Sequence, residues 1–263
     1  MPTVADILDY LNTLAPQNMK EDWDRVGLNC GRLNAEVTRI LVALDPFTEV
    51  CREAKDFGAQ LLVTHHALLW KPGFVTDADT QGTNALFLME NGIAHINAHT
   101  NLDEAPGGVN DVLAGILGLS EVRVIDPKGT DTQGRAWGLL RWGTVSVQPL
   151  SAFLRTVKER LHCDGLRYVD SGKPVHHVAV GGGACGAEMA QAVAAGCDTF
   201  VTSDLKYNQF RDAYDLGLNL IDAGHFHTES PVCGYLAEQL QAAFPGIAVK
   251  ISEKQTDCMK FFL

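Results

Sequence analysis

Two adjacent histidines, His65 and His66, close an apolar run, Leu61-Leu62-Val63-Thr64, and offer imidazole nitrogens of the kind that bind divalent metal ions. A run of this composition reads as a buried strand, and open α/β sheets bind ligands at the carboxyl ends of their strands. Successive strand residues point to opposite faces, so the two rings cannot grip one ion from a regular strand. They can serve two ions, or one if the strand turns there, and two ions are the working expectation. A histidine pair alone is more often packed or solvated than ligating, so the assignment depends on companions elsewhere in the chain.

Those companions recur at a fixed spacing. His99 precedes Asp103 by four residues, and His225 precedes Glu229 by four, each pair just past an apolar strand. Gly58 to His66 aligns with Gly196 to Asp204, and Ile96-Asn97-Ala98 with Ile221-Asp222-Ala223, an internal repeat that predicts two related lobes around one cleft. His65, His66, Asp103, His225 and Glu229 then supply neutral imidazoles and carboxylates, a donor set suited to Zn, Fe, Mn, Co or Ni. A carboxylate can bridge two ions, and a separation of about 3.5–4 Å is usual for hydrolytic displacement. His99 is either a ligand or a residue that orients one, the orienting role being preferred. Asp204 occupies the position matching His66. Lys206 and Tyr207 behind it either orient a substrate anion or are solvated surface. His95, His162, His176 and His177 have no companion ligands and read as structural.

The elements that position these residues alternate. Helical spacing from Val4 to Leu14 ends at Pro16, a short strand is expected within Trp23 to Gly31, and Ile40 to Asp45 is a buried strand. Helices are expected over Thr48 to Phe57, capped by Thr48, then Thr83 to Asn91 and Val109 to Leu117, with a loop from Lys71 to Gly82 and a strand from Ile93 to His99. A Gly, Asp and Thr-rich stretch, Asp126 to Gly134, marks a boundary. Beyond it come a strand over Trp137 to Val147, a helix over Pro149 to Leu161, and strands Val175 to Val180, Thr199 to Thr202 and Leu218 to Ala223. Helices Glu188 to Ala195, Tyr207 to Asp215 and Ser230 to Ala243 complete the pattern. This is an α/β chain of two related lobes with mostly parallel sheets, one formed by 1–127 with 225–263 and the other by 128–224. Gly181-Gly182-Gly183-Ala184-Cys185-Gly186 has the spacing of a dinucleotide fingerprint. A tight turn is the preferred reading, with phosphate cradling by backbone amides as the functional alternative.

The 263 residues, 46% hydrophobic and 20% charged, can bury a sizeable core. A net charge of −11, from 32 acidic against 21 basic residues, repels nucleic acid and makes it an unlikely partner. The N-terminus lacks the basic start and apolar core of a signal peptide and no apolar run reaches membrane-spanning length, which predicts a cytoplasmic protein without a membrane partner. Seven cysteines stand singly, with no Cys-x-x-Cys, against both a thiolate zinc site and a disulfide framework.

Thr64-His65-His66 with Lys71-Pro72, Ala98-His99-Thr100-Asn101-Leu102-Asp103 with Pro106-Gly107-Gly108-Val109-Asn110-Asp111, and Ile221-Asp222-Ala223-Gly224-His225 with Thr228-Glu229 together resemble the Nif3-like family, also called GTP cyclohydrolase 1 type 2 homologs. The resemblance extends to Trp23-Asp24, Val26-Gly27-Leu28, Thr202, Asp204, Lys206 and Tyr207. It implies a dinuclear metal centre between two α/β lobes, with His65, His66, Asp103, His225 and Glu229 as ligands and Glu229 as the bridge, in a ring-shaped homohexamer. Phe226-His227 fills a place where the family more often has one aromatic; His227 reads as outer or solvent-facing rather than as a further ligand. The implied activity is metal-dependent hydrolysis of a nucleotide-like or phosphorylated small molecule, with no catalytic acid or base assigned. A non-catalytic metal-binding or metal-delivery protein is the alternative.

Overall fold

The computed structural model describes residues 1–71 and 73–262; Pro72, half of the Lys71-Pro72 pair, and Leu263 lie outside the described residues. The chain divides into two compact units, Met1–Leu102 with Val232–Thr256, and Asp103–Pro231 with Asp257–Leu263. In chain order the first elements are α1 (Val4–Leu14), β1 (Gly27–Cys30), β2 (Arg39–Ala43), α2 (Thr48–Phe57), β3 (Leu61–Thr64), α3 (Thr80–Glu90), β4 (Ala94–Asn97) and α4 (Thr100–Glu104). Then follow α5 (Val109–Leu117), β5 (Ser120–Val124), β6 (Gly129–Thr130), β7 (Ala136–Trp137), β8 (Arg141–Gln148), α6 (Leu150–Arg160), β9 (Arg167–Val169) and β10 (Val175–Val180). The last are α7 (Met189–Ala194), β11 (Thr199–Thr202), α8 (Tyr207–Leu216), β12 (Asn219–Asp222), α9 (His225–Glu229), α10 (Val232–Ala243) and β13 (Ala248–Ile251).

Among the described residues the first unit's sheet runs β1-β4-β3-β2-β13, parallel except for β1, and the second unit's runs β5-β8-β10-β11-β12-β9, parallel over its central β10, β11 and β12. The central strands β3, β4, β11 and β12 are buried along their whole length, as parallel strands covered on both faces must be; β3 and β11 read as apolar runs, while β4 and β12 also bury His95, Asn97, Asn219 and Asp222. Leu41, Leu62, Val50, Ala54 and Leu88 build one core; Val178, Val201, Phe153 and Leu113 build another in the second unit.

The repeat extends to individual hydrogen bonds. Thr64 faces Asn97 across β3 and β4, and Thr202 faces Asp222 across β11 and β12. Ala98 N–H donates to Thr64 O at 3.0 Å and Ala223 N–H to Thr202 O at 2.9 Å, while Gln60 N–H meets Arg39 O at 3.1 Å and Asp198 N–H meets His177 O at 2.9 Å. The helix before each middle strand ends at a glycine of positive φ, Gly58 at +72° and Gly196 at +81°, a conformation L side chains resist.

Several expectations change. The segment 103–127 joins the second unit, not the first, because buried Arg141 on β8 binds it: Nε donates to Asp111 Oδ1 at 2.8 Å and Nη2 to the carbonyls of Glu104 and Ala105 at 3.2 Å each. The segments 225–231 and 257–263, expected in the first, likewise belong to the second unit. Thr48 is not a cap; Phe47 holds that position, and the Thr48 hydroxyl turns to Asn84 Oδ1 at 3.0 Å. Asp79 caps α3 by accepting from Gly82 N–H, so the helix starts inside the expected loop. The flanking strands β5, β9 and β13 were not anticipated, their exposed faces leaving no apolar run. Among the described residues no helix is long and apolar enough to cross a membrane.

Candidate metal centre

β3 ends at Thr64 and the chain bends at His65 and His66, so strand alternation no longer separates their rings. The two imidazoles lie with centroids 5.0 Å apart, and His99, two residues past β4, is 5.1 Å from His65 and 5.5 Å from His66. One ligand atom from each of the three falls within 4.8 Å of the others.

Each of these rings is held through Nδ1. His65 Nδ1 meets Ala98 O at 2.8 Å, His66 Nδ1 meets Asp45 Oδ1 at 2.6 Å, and His99 Nδ1 meets Asp24 Oδ2 at 2.9 Å. A neutral imidazole that donates from Nδ1 carries its lone pair on Nε2, and metal-ligating histidines are oriented by this kind of contact to a carboxylate or carbonyl. Burial pushes the Asp24 carboxyl up, but hydrogen bonds from His99 and Thr100 outweigh it and hold the group well below the usual carboxylate range. His95 stays outside the group: it is fully buried in β4, bonded to Thr64 Oγ1 at 2.7 Å, and burial alone pushes it down to about 3, so it is neutral and structural.

In the second unit, Gly224 at φ +83° turns the chain into the single-turn helix α9. His225 and Glu229 are one turn apart and therefore on one face, with Nε2 and Oε2 2.9 Å apart. His225 Nδ1 meets Asp204 Oδ2 at 2.8 Å, the same orientation seen in the first unit. Asp204, just past β11, sits at φ +54°, a left-handed conformation that Asp tolerates better than most residues.

The glycine turn after β10 makes room for Glu229. A Cβ on Gly183 would lie 2.1 Å from Glu229 Oε1, and one on Gly182 3.3 Å from its Cγ. The turn's amides are committed inside the protein: Gly181 to Val201 O, Gly182 to Asn110 Oδ1 and Gly183 to Thr228 Oγ1, at 3.0, 2.7 and 3.0 Å. The tight-turn reading therefore holds, and these three amides do not cradle a phosphate. Asp103, on α4, is tied to the same turn through Asn110, whose Nδ2 donates to Asp103 O at 3.1 Å. The neighbouring Cys185 thiol is raised well above its usual value by burial and then by Asp103, Glu188 and Glu229, so it stays protonated and is no thiolate ligand. Both groups thus present only imidazole and carboxylate donors, a set that fits a borderline or hard divalent cation.

Lys206 and Tyr207 are exposed at the start of α8. His227 is turned away, with Nδ1 3.1 Å from Leu161 O and Nε2 3.5 Å from Asp257. The roles of Asp24 and Asp45 were missed from the sequence. Asp45 follows the strand beside β3, and an acidic residue at a neighbouring strand end was the available signal.

A family model described as Duf34/NIF3 (NGG1p interacting factor 3) matches residues 2–258. A Streptomyces coelicolor protein named GTP cyclohydrolase 1 type 2 homolog is 39% identical over 249 residues, covering 91% of this chain and 86% of its own length. A Clostridium perfringens protein of the same name is 35% identical over 241 residues, 90% of each. Among solved structures, a Bacillus cereus protein related to NIF3 matches with a TM-score of 0.93 at 25% identity, over 100% of this chain and 99% of that one. The chain, with its paired α/β units and its histidine and carboxylate groups at the strand ends, belongs to the Duf34/NIF3 family.

Proposed function

We propose that His65, His66, Asp103, His225 and Glu229 hold two divalent ions per subunit, Zn, Fe, Mn, Co or Ni, with Glu229 as the bridge. The protein then acts in the cytoplasm as a metal-dependent hydrolase of a nucleotide-like or phosphorylated small molecule. The observation that carries this reading is the common treatment of the rings: His65, His66, His99 and His225 all use Nδ1 for a carbonyl or carboxylate within 2.9 Å, which directs Nε2 toward a ligand role. The names of the relatives support a nucleotide-like substrate. When bound, such ions supply Lewis acidity and an activated water for hydrolysis. Asp45 and Asp204 hold the His66 and His225 rings, and Asp24 holds His99 in the same way. The ring-shaped homohexamer belongs to the same proposal, on the strength of family membership, and light scattering in solution tests it.

The deciding experiment is elemental analysis of protein purified without added metal, with ions counted per subunit, followed by turnover screens of GTP and other nucleotides after loading with Mn, Fe or Zn. Two ions per subunit, a lower count in Glu229→Gln, and turnover lost in that variant are expected. Metal retained with no turnover under any loading, together with ready transfer of ions to an apo-acceptor, would favour metal delivery.

A further inference from the structure

The loop between α1 and β1 forms a cleft of about 540 Å³ whose wall includes Lys20, Asp22, Trp23, Arg25, Val26 and Leu69. Trp23 is 65% exposed, a large indole face turned to solvent. Its ring meets the His99 imidazole edge-on at 5.9 Å, and Trp70 meets the same imidazole at 5.0 Å. The cleft therefore opens beside the first unit's histidine group.

Its wall is fixed in place. The Asp24 carboxylate accepts from His99 Nδ1, from Thr100 N–H at 3.1 Å, from Thr100 Oγ1 at 2.6 Å and from Arg25 N–H at 2.7 Å. Asn97 Nδ2 donates to Arg25 O at 3.1 Å, and Glu21 N–H to Thr100 Oγ1 at 3.0 Å. Trp23 and Arg25 are thus bolted to the turn that carries His99. Lys20 Nζ donates to a backbone carbonyl, Glu21 O at 3.2 Å, and among the described residues Arg25 forms no ion pair. Two cations beside an exposed indole are unusual in a chain of net charge −11. Of the two acids in the wall, Asp24 is buried against its donors, which leaves Asp22 to face solvent.

We propose that this cleft is the nucleotide-binding subsite: the base lies on Trp23, the phosphate sits between Lys20 and Arg25, and Asp22 accepts from sugar hydroxyls or a ring N–H. Stacking on an exposed aromatic face suits any heteroaromatic base, and guanidinium and ammonium groups suit phosphate. The inference rests on the reading of the neighbouring site as one for a nucleotide-like substrate, and it supplies the groups that would recognise that substrate.

The test is calorimetric titration of the full chain as purified, and of Glu229→Gln, with GMP and with guanosine. Trp23→Ala is expected to weaken both ligands about 10-fold, the loss typical of removing one base stack, while Trp23→Phe stays within about 3-fold. Lys20→Gln combined with Arg25→Gln is expected to weaken GMP about 10-fold and leave guanosine unchanged. Equal GMP affinity in wild type, Trp23→Ala and the double variant overturns the subsite, as does wild type that binds neither ligand at millimolar concentration. A Trp23→Ala variant whose only change is a lower mass in solution also overturns it, by assigning the indole to contact with a second copy. Loss of metal in Glu229→Gln with GMP binding intact separates this subsite from the metal reading, since either can fail alone.

Discussion

Arg141→Met should be among the most damaging single changes outside the candidate centre. The side chain is 1% exposed and its guanidinium is satisfied on every side: Nε and Nη2 reach Asp111 at 2.8 and 3.2 Å, Nη1 reaches Gly138 O at 2.6 Å, and Nη2 reaches the carbonyls of Glu104 and Ala105 at 3.2 Å. Breaking a buried ion pair by removing one partner costs about 3–5 kcal/mol when the other charge stays buried. Asp111 is 29% exposed and keeps Gly107 N–H at 2.7 Å, so water recovers part of that loss. Glu104 O and Ala105 O keep backbone donors, Gly138 N–H at 3.2 Å and Gly108 N–H at 3.0 Å, so Gly138 O is the carbonyl that loses its donor; it adds about 1 kcal/mol to the low end of the ion-pair loss, which brings the expected destabilisation to about 4 kcal/mol. That is a large share of a typical net stability of about 5–15 kcal/mol. Urea unfolding followed by circular dichroism should show the midpoint falling by more than about 1 M, given a slope near 3 kcal/mol/M. Because Glu104 and Ala105 directly follow Asp103, hydrogen exchange should accelerate over 103–108 before it does in β2 and β3. A loss below about 1 kcal/mol, or exchange that rises equally in both units, would refute the account of Arg141 as the anchor of this segment.

Two further outcomes follow from groups near the candidate centre. Gly183→Ala puts a Cβ against the Glu229 carboxylate at a backbone φ of +66°, so the ion count per subunit should drop by about half or more while far-ultraviolet dichroism is retained, and an unchanged count would disconnect the glycine turn from the carboxylate. His95 is held down to about 3 by burial, so the folded state keeps it neutral while the unfolded chain takes up a proton below about 6.5. Its contribution is complete above that value and is lost as pH falls toward 3, at up to about 1.4 kcal/mol per pH unit, and wild type should lose stability faster than His95→Gln between pH 6 and 4; parallel curves would contradict the assignment.

The parts of the fold that were legible in the sequence are those where burial leaves only one reading. β3 and β11 are covered on both faces, so their runs of Leu, Val and Phe, and the polar residues that stop them, make the repeat legible in the sequence. The spacing of His225 and Glu229 was visible too, but not its cause, because a helix as short as α9 has no periodicity to detect. The bend after Thr64, which brings His65 and His66 to one side, was left open because alternation assumes a strand that continues. Asp24 and Asp45 lie 75 and 21 residues from the rings they hold, and separations of that size carry no local pattern. The flanking strands stayed hidden because pairing along one side, not burial, keeps them in place.

The matched hydrogen bonds of the two halves make one backbone frame serve two kinds of donor. In each half the backbone pairing at the strand ends is the same, so the residues that come next are set out by one geometry and differ only in chemistry. His65 and His66 follow the strand in one half, and Ser203 and Asp204 in the other: the same scaffold position offers imidazoles in the first and a hydroxyl and a carboxylate in the second.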